Sequence, residues 1–186
     1  MFKYILLYAL IALFRHTKKI KLAIICEWIL IFCVFKLSGY SMLQVDFRKI
    51  GWYIICGYVL SFFLLNFTYI TVFWKLPKIK ISLNITYEDL FSVLWEEIIW
   101  RFCFFGLCYW LDISRIYLFF FMTLENFFFI LSHLGIGGKN LRNNIEMFVY
   151  SYFLLILGGT FQGMNIGLHL GRNILCKVEK ENYESD

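Results

Sequence analysis

Apolar residues come in long runs along this chain. After an N-terminal run over 1–14, they cover roughly 22–40, 50–74, 90–111, 116–135 and 147–176. Each of the middle four is close to the ~20 residues that carry a helix across a bilayer. The last is about 30 residues long, against the ~20 of a single crossing. It contains Gly158, Gly159, Gly163, Gly167 and Gly171, and we read it as two short crossings broken near 158–163 rather than one tilted helix. The first run has the length of a signal-peptide core. It lacks a small-residue cleavage site and leads straight into Arg15, Lys18, Lys19 and Lys21, so it reads as a retained short or partial span. The pattern predicts an all-α, polytopic transmembrane helical bundle, with residues 1–186 as a single membrane domain.

Composition points the same way. The chain is 61% hydrophobic and 17% charged, has a mean hydropathy of +0.69 and contains a single Pro, which leaves little sequence for a water-soluble domain. The net charge of +5 requires no nucleic acid, because basic residues at the ends of apolar segments are ordinary topology signals. Arg15, Lys18, Lys19 and Lys21 precede the second run, Lys75, Lys78 and Lys80 the fourth, and Lys139 and Arg142 the last. The alternate loops hold only Arg48 with Lys49, and Arg115. The richer side is predicted cytoplasmic, which makes this a multi-pass protein of the cell membrane. Cys26, Cys33, Cys56, Cys103, Cys108 and Cys176 are scattered without a C-x-x-C pair and read as small buried apolar residues.

Against this background, charge inside an apolar run is conspicuous. Glu96, Glu97 and Arg101 lie within 90–111, where ionisable groups are costly and generally face a polar cavity with a function. Thr86 and Asp89 resemble a capping box, so a helix should start near Tyr87 at the cytoplasmic face and carry Glu96 about 10 Å inward. Glu97 and Arg101 are i, i+4 and are predicted to pair, while Glu96 is rotated about 100° away. The unpaired acid, partly desolvated, suits a general base. On the next run, Glu125, Phe129 and His133 are spaced by four, with His133 near the cytoplasmic end and Glu125 expected to partner a neighbouring polar group. In the last run, Gly159, Gly163, Gly167 and Gly171 form overlapping G-x-x-x-G steps that admit a close helix, and Asn165, His169 and Asn173 repeat on roughly the opposite face. Topology then brings Glu96, Glu97, His133, His169 and Asn173 to one depth.

No Ser, Cys or Thr sits obviously beside a base, and H-E-x-x-H is absent. A glutamate with a histidine can deprotonate and orient a water, and a second histidine with an asparagine can donate to a developing oxyanion. That is a plan for direct attack of water on a peptide carbonyl. The three motifs, Glu96-Glu97-x-x-x-Arg101, Phe129-x-x-x-His133 and His169-x-x-x-Asn173, together resemble the CPBP family of intramembrane proteases (CAAX proteases and bacteriocin-processing enzymes, also called Abi). The resemblance covers roughly residues 88–176, which would form the catalytic core. It implies a helical membrane fold of the glutamic intramembrane protease type, with Glu96 and His133 activating the water, His169 and Asn173 forming the oxyanion hole, and Glu97 with Arg101 supporting the site. No cofactor is implied.

The resulting expectation is an endopeptidase open to the cytoplasmic half of the bilayer, acting on a peptide or protein terminus, in peptide maturation or bacteriocin self-immunity. Three alternatives stand beside it. Zinc held by Glu96, His133 and His169 would change the chemistry. An immunity or scaffold protein would use the same polar pocket for binding. A small transporter ranks last, since the halves show no inverted repeat.

Overall fold

The computed structural model describes residues 1–38, 47–77, 79, 85–134, 141–161 and 163–183; within these, the side chains of 38, 47, 159–160 and 175–183 are outside the description. Lys78, Lys80 and Lys139, used above as topology signals, and the side chain of Cys176 therefore lie outside the described residues. Among the described residues all regular structure is helical: α1 (Phe2–His16), α2 (Ile20–Ser38), α3 (Phe47–Phe73), α4 (Tyr87–Glu97), a π turn (Ile98–Phe102), α5 (Cys103–Trp110), α6 (Arg115–His133), α7 (Leu141–Thr160) and α8 (Met164–Tyr183). Among the described residues, two stretches, Arg48–Phe73 and Arg115–His133, are long and apolar enough to cross a membrane. The helices group into two compact units: Met1–Val45 with Ile98–Tyr152, and Asp46–Glu97 with Phe153–Asp186.

In the first unit, α1 buries Tyr4, Ile5, Tyr8, Ile11 and Ala12, a stripe at helical spacing. It packs on α2 and on α6, where Phe2 meets Phe121 edge to face at 5.6 Å. The α1–α2 turn is sharp because Lys18 takes a left-handed conformation (φ 58°) and the Thr17 hydroxyl donates to the Leu13 carbonyl at the end of α1. Across that turn Arg15 Nε and Nη2 each lie 2.7 Å from Glu27 Oε1, and Glu27 is fully buried. An acid in the middle of an apolar helix is thus neutralised by the basic cluster that precedes it.

In the second unit, α8 lies along α3 at backbone contact. A Cβ at Gly167 would fall 2.0 Å from the Ile54 carbonyl oxygen, one at Gly171 1.8 Å from Ser61 Oγ, and one at Gly57 2.1 Å from the Met164 carbonyl oxygen. Only glycine permits this approach, so Gly163, Gly167 and Gly171 of the expected repeat form a close-packing face, while the surroundings of Gly159 lie outside the described residues. The break expected near 158–163 is present: α7 ends at Thr160, α8 begins at Met164, and Gly163 turns the chain with φ 97°. Helix α4 starts at Tyr87 behind the capping box. The Thr86 hydroxyl donates to Asp89 Oδ2 at 2.6 Å, and the Thr86 and Asp89 amides donate to the opposite side chain at 3.2 Å each.

Candidate functional site

Each unit carries some of the motif residues. In the second unit, α4 ends on Glu97 and packs against α8. Because Gly163, Gly167 and Gly171 are turned to α3, Asn165 and His169 are presented on another face of α8, one turn apart, and both reach Glu97. Glu97 is buried, as are Asn165 and His169. The Asn165 amide Nδ2 donates a short hydrogen bond to Glu97 Oε2. His169 Nδ1–H donates to Glu97 Oε1 at 2.7 Å. Each carboxylate oxygen therefore carries its own donor, which holds Glu97 in one orientation. His169 Nε2 lies 3.4 Å from Glu96 Oε2, whose side chain is 13% exposed against 3% for Glu97. His169 thus stands between two carboxylates, close to the buried one and further from the more accessible one. Asn173 follows one turn later on α8, half-buried.

This arrangement has a chemical consequence. With Nδ1–H committed to Glu97, the His169 ring is fixed in tautomer and rotation, and Nε2 is the nitrogen directed to the Glu96 side. A carboxylate and an imidazole nitrogen 3.4 Å apart, partly accessible, can share a water or a substrate oxygen. The same pair can take up a proton at one group and release it at the other.

In the first unit, the π turn carries Arg101, which is 1% exposed. Its Nη2 donates to Ser151 Oγ on α7 at 2.7 Å, and its guanidinium lies 4.1 Å over the Phe129 ring. His133 contacts the same ring, with centroids 4.3 Å apart, and Trp100 meets it edge to face at 5.7 Å. Phe129 is therefore the shared platform of Arg101 and His133. That gives the aromatic member of the Phe-x-x-x-His spacing a physical role. His133 Nδ1 is 2.8 Å from the Phe129 carbonyl oxygen, an acceptor only, so Nδ1 carries the hydrogen and neutral His133 keeps its lone pair on Nε2. Ser132 Oγ lies 2.9 Å from the same Nδ1. The Tyr8 hydroxyl donates to the Ile99 carbonyl oxygen within the π turn at 2.8 Å. Such turns recur at functional positions in helices, because the widened ring sets side chains off the regular register.

A π turn, Ile98–Phe102, follows Glu97 where a regular helix was expected. Asn165 and His169 are among the partners of Glu97, and Ser151 and the Phe129 ring among those of Arg101. Glu125, expected to partner a polar neighbour, is fully buried in α6 beside Asn126, whose amide donates to the Phe148 carbonyl at 3.0 Å. Sequence reasoning missed Ser151, a lone small hydroxyl in an apolar run that no periodicity marks. It placed Asn165 on the right face without recognising its contact with Glu97. Among the described residues no group of three or more His, Cys, Asp or Glu is placed to hold a metal ion. The chain matches no protein-family model, no curated protein and no solved structure.

Proposed function

We propose that the protein is a multi-pass intramembrane glutamic endopeptidase of the CPBP type. The observation that carries this reading is His169 held between Glu97 and Glu96, with each ring nitrogen facing a different carboxylate. In the proposed reaction Glu96 takes a proton from a water as its oxygen bonds to the peptide carbonyl carbon. The carbonyl oxygen gains the electron pair; Asn173 donates to it, as does His169 when its ring carries a second proton, on Nε2. Collapse of this adduct breaks the C–N bond, and the proton held by Glu96 passes to the departing amine. Glu97 does not meet the substrate; it keeps the His169 ring in place.

The membrane setting is supported by Arg48–Phe73 and Arg115–His133, and by exposed Trp52, Ile55, Val59, Phe63 and Phe67 along α3, which suit contact with lipid. Helix α2 carries Lys21, Glu27 and Lys36, and the Arg15 pairing removes the cost of the most deeply buried of them. The substrate is a peptide or protein terminus, in maturation or self-immunity, with the cytoplasmic half of the bilayer as the side of access. The test is hydrolysis of a pool of internally quenched peptides by purified protein in phospholipid vesicles. Wild type should cleave members of the pool, and Glu96→Gln should abolish cleavage while the protein stays folded. Equal cleavage by Glu96→Gln would remove the proposal.

A further inference from the structure

We infer that Asn165, which belongs to none of the three motifs, is a positioning residue that acts on His169 through Glu97. Its role in turnover rests on the peptidase reading above; its role in orienting the histidine does not. Glu97 has two oxygens and uses them on different residues: Oε1 accepts from His169 and Oε2 from Asn165. A carboxylate held at one oxygen only can rotate about its last bond, and its partner imidazole moves with it. The second donor removes that freedom. Asn165 and His169 are also successive residues on one face of α8, so both donors come from a single rigid element and their separation is set by the helix.

A second observation supports the role independently. Gly158 on α7 lies against the Asn165 side chain, and a Cβ there would be 3.0 Å from Asn165 Cγ, 3.1 Å from its Cβ and 3.3 Å from Nδ2. A Cβ at this position would make the amide give way by a few tenths of an ångström. The Asn165 side chain is therefore confined between α7 and the Glu97 carboxylate. The order of contacts runs Gly158, Asn165, Glu97, His169, with Glu96 on the far ring nitrogen. Gly158→Ala should press on the amide without removing it, and Asn165→Leu should keep its volume while removing its donor.

The chain contains only three histidines, His16, His133 and His169, so the ring nitrogens of the full-length protein in lipid nanodiscs can be resolved after 15N labelling of histidine. Wild type should give a His169 spectrum with a protonated, hydrogen-bonded Nδ1. Asn165→Leu should shift or broaden the His169 ring signals and leave those of His133 and His16 in place, which also shows that the fold is intact. Gly158→Ala should move the same signals by less, and it serves as the test if Asn165→Leu does not fold. On the quenched-peptide pool, Asn165→Leu should lower kcat by about 10-fold or more at little-changed KM, the scale of a hydrogen bond to a charged group. His169 signals that superimpose on wild type in both variants would overturn the inference. If the signals move but wild type cleaves no peptide, the positioning role stands and the peptidase reading falls.

Discussion

Gly167→Ala tests the packing that presents the histidine. The added Cβ would lie 2.0 Å from the Ile54 carbonyl oxygen, 2.7 Å from the Tyr58 amide nitrogen and 2.8 Å from the Ile54 carbonyl carbon. All three are backbone atoms of α3, so no side chain can rotate away. Ordinary contact begins at 3.4 Å, and the two helices must separate by about 1.4 Å to reach it. A displacement of that size in α8 is enough to spoil the geometry of the 2.7 Å hydrogen bond from His169 to Glu97. Overpacking of this kind costs about 1–3 kcal/mol before the lost polar contact is counted. Gly51 on the same α3 is the control, since a Cβ there meets nothing within 4 Å. Gly51→Ala should be neutral or stabilising by up to about 1 kcal/mol, because glycine is a poor helix former. The assay is denaturant titration of purified protein in detergent micelles, followed by tryptophan fluorescence, with peptide hydrolysis measured alongside. Gly167→Ala should lose both stability and cleavage, and Gly51→Ala neither. A Gly167→Ala variant as stable as wild type would refute the close α3–α8 packing and the reasoning built on it.

Further predictions concern the buried charges. Ser151→Ala removes a neutral acceptor from buried Arg101 and should cost about 1.5–3 kcal/mol of stability, measured by the same titration. Phe129→Leu takes away the ring under the guanidinium at 4.1 Å and should cost about 2 kcal/mol or more through lost cation–π contact and packing, while also releasing the His133 ring to move in 15N spectra. Arg15→Ala should destabilise by about 3 kcal/mol because the fully buried Glu27 carboxylate loses its counter-ion, and adding Glu27→Leu in the same chain should recover most of that loss. An Arg15→Ala variant no more stable when Glu27→Leu is added would show that the pair is not what holds the α1–α2 turn.

Much of the second unit was legible in the sequence because it depends on short-range periodicity. The glycine repeat on α8 gave its packing face, the opposite repeat gave Asn165 and His169, the Thr86–Asp89 spacing gave the start of α4, and the glycines at 158–163 marked the break before α8. These signals live within one or two turns of a helix. The contacts of Glu97 with Asn165 and His169 were not legible, because they join residues far apart in the sequence. The π turn at Ile98–Phe102 has no compositional mark. Ser151 lies 50 residues from Arg101 and Asn165 lies 68 from Glu97, and single-sequence patterns do not report contacts at such separation. Glu27 illustrates a further limit. It stood in plain view in an apolar run, twelve residues after Arg15, and only the tight turn at Lys18 makes that spacing a pairing.

The central claim is that Glu96 directs water onto a peptide bond, and incorporation of solvent oxygen tests it most directly. Purified protein in phospholipid vesicles, kept metal-free with a chelator, is incubated with a peptide pool in 18O-labelled water, and new C-termini are read by mass spectrometry. Wild type should generate peptides with 18O at the newly formed carboxyl group, and Glu96→Gln and His169→Ala should generate none. Absence of labelled termini with wild type, or their undiminished appearance with Glu96→Gln, would contradict the account.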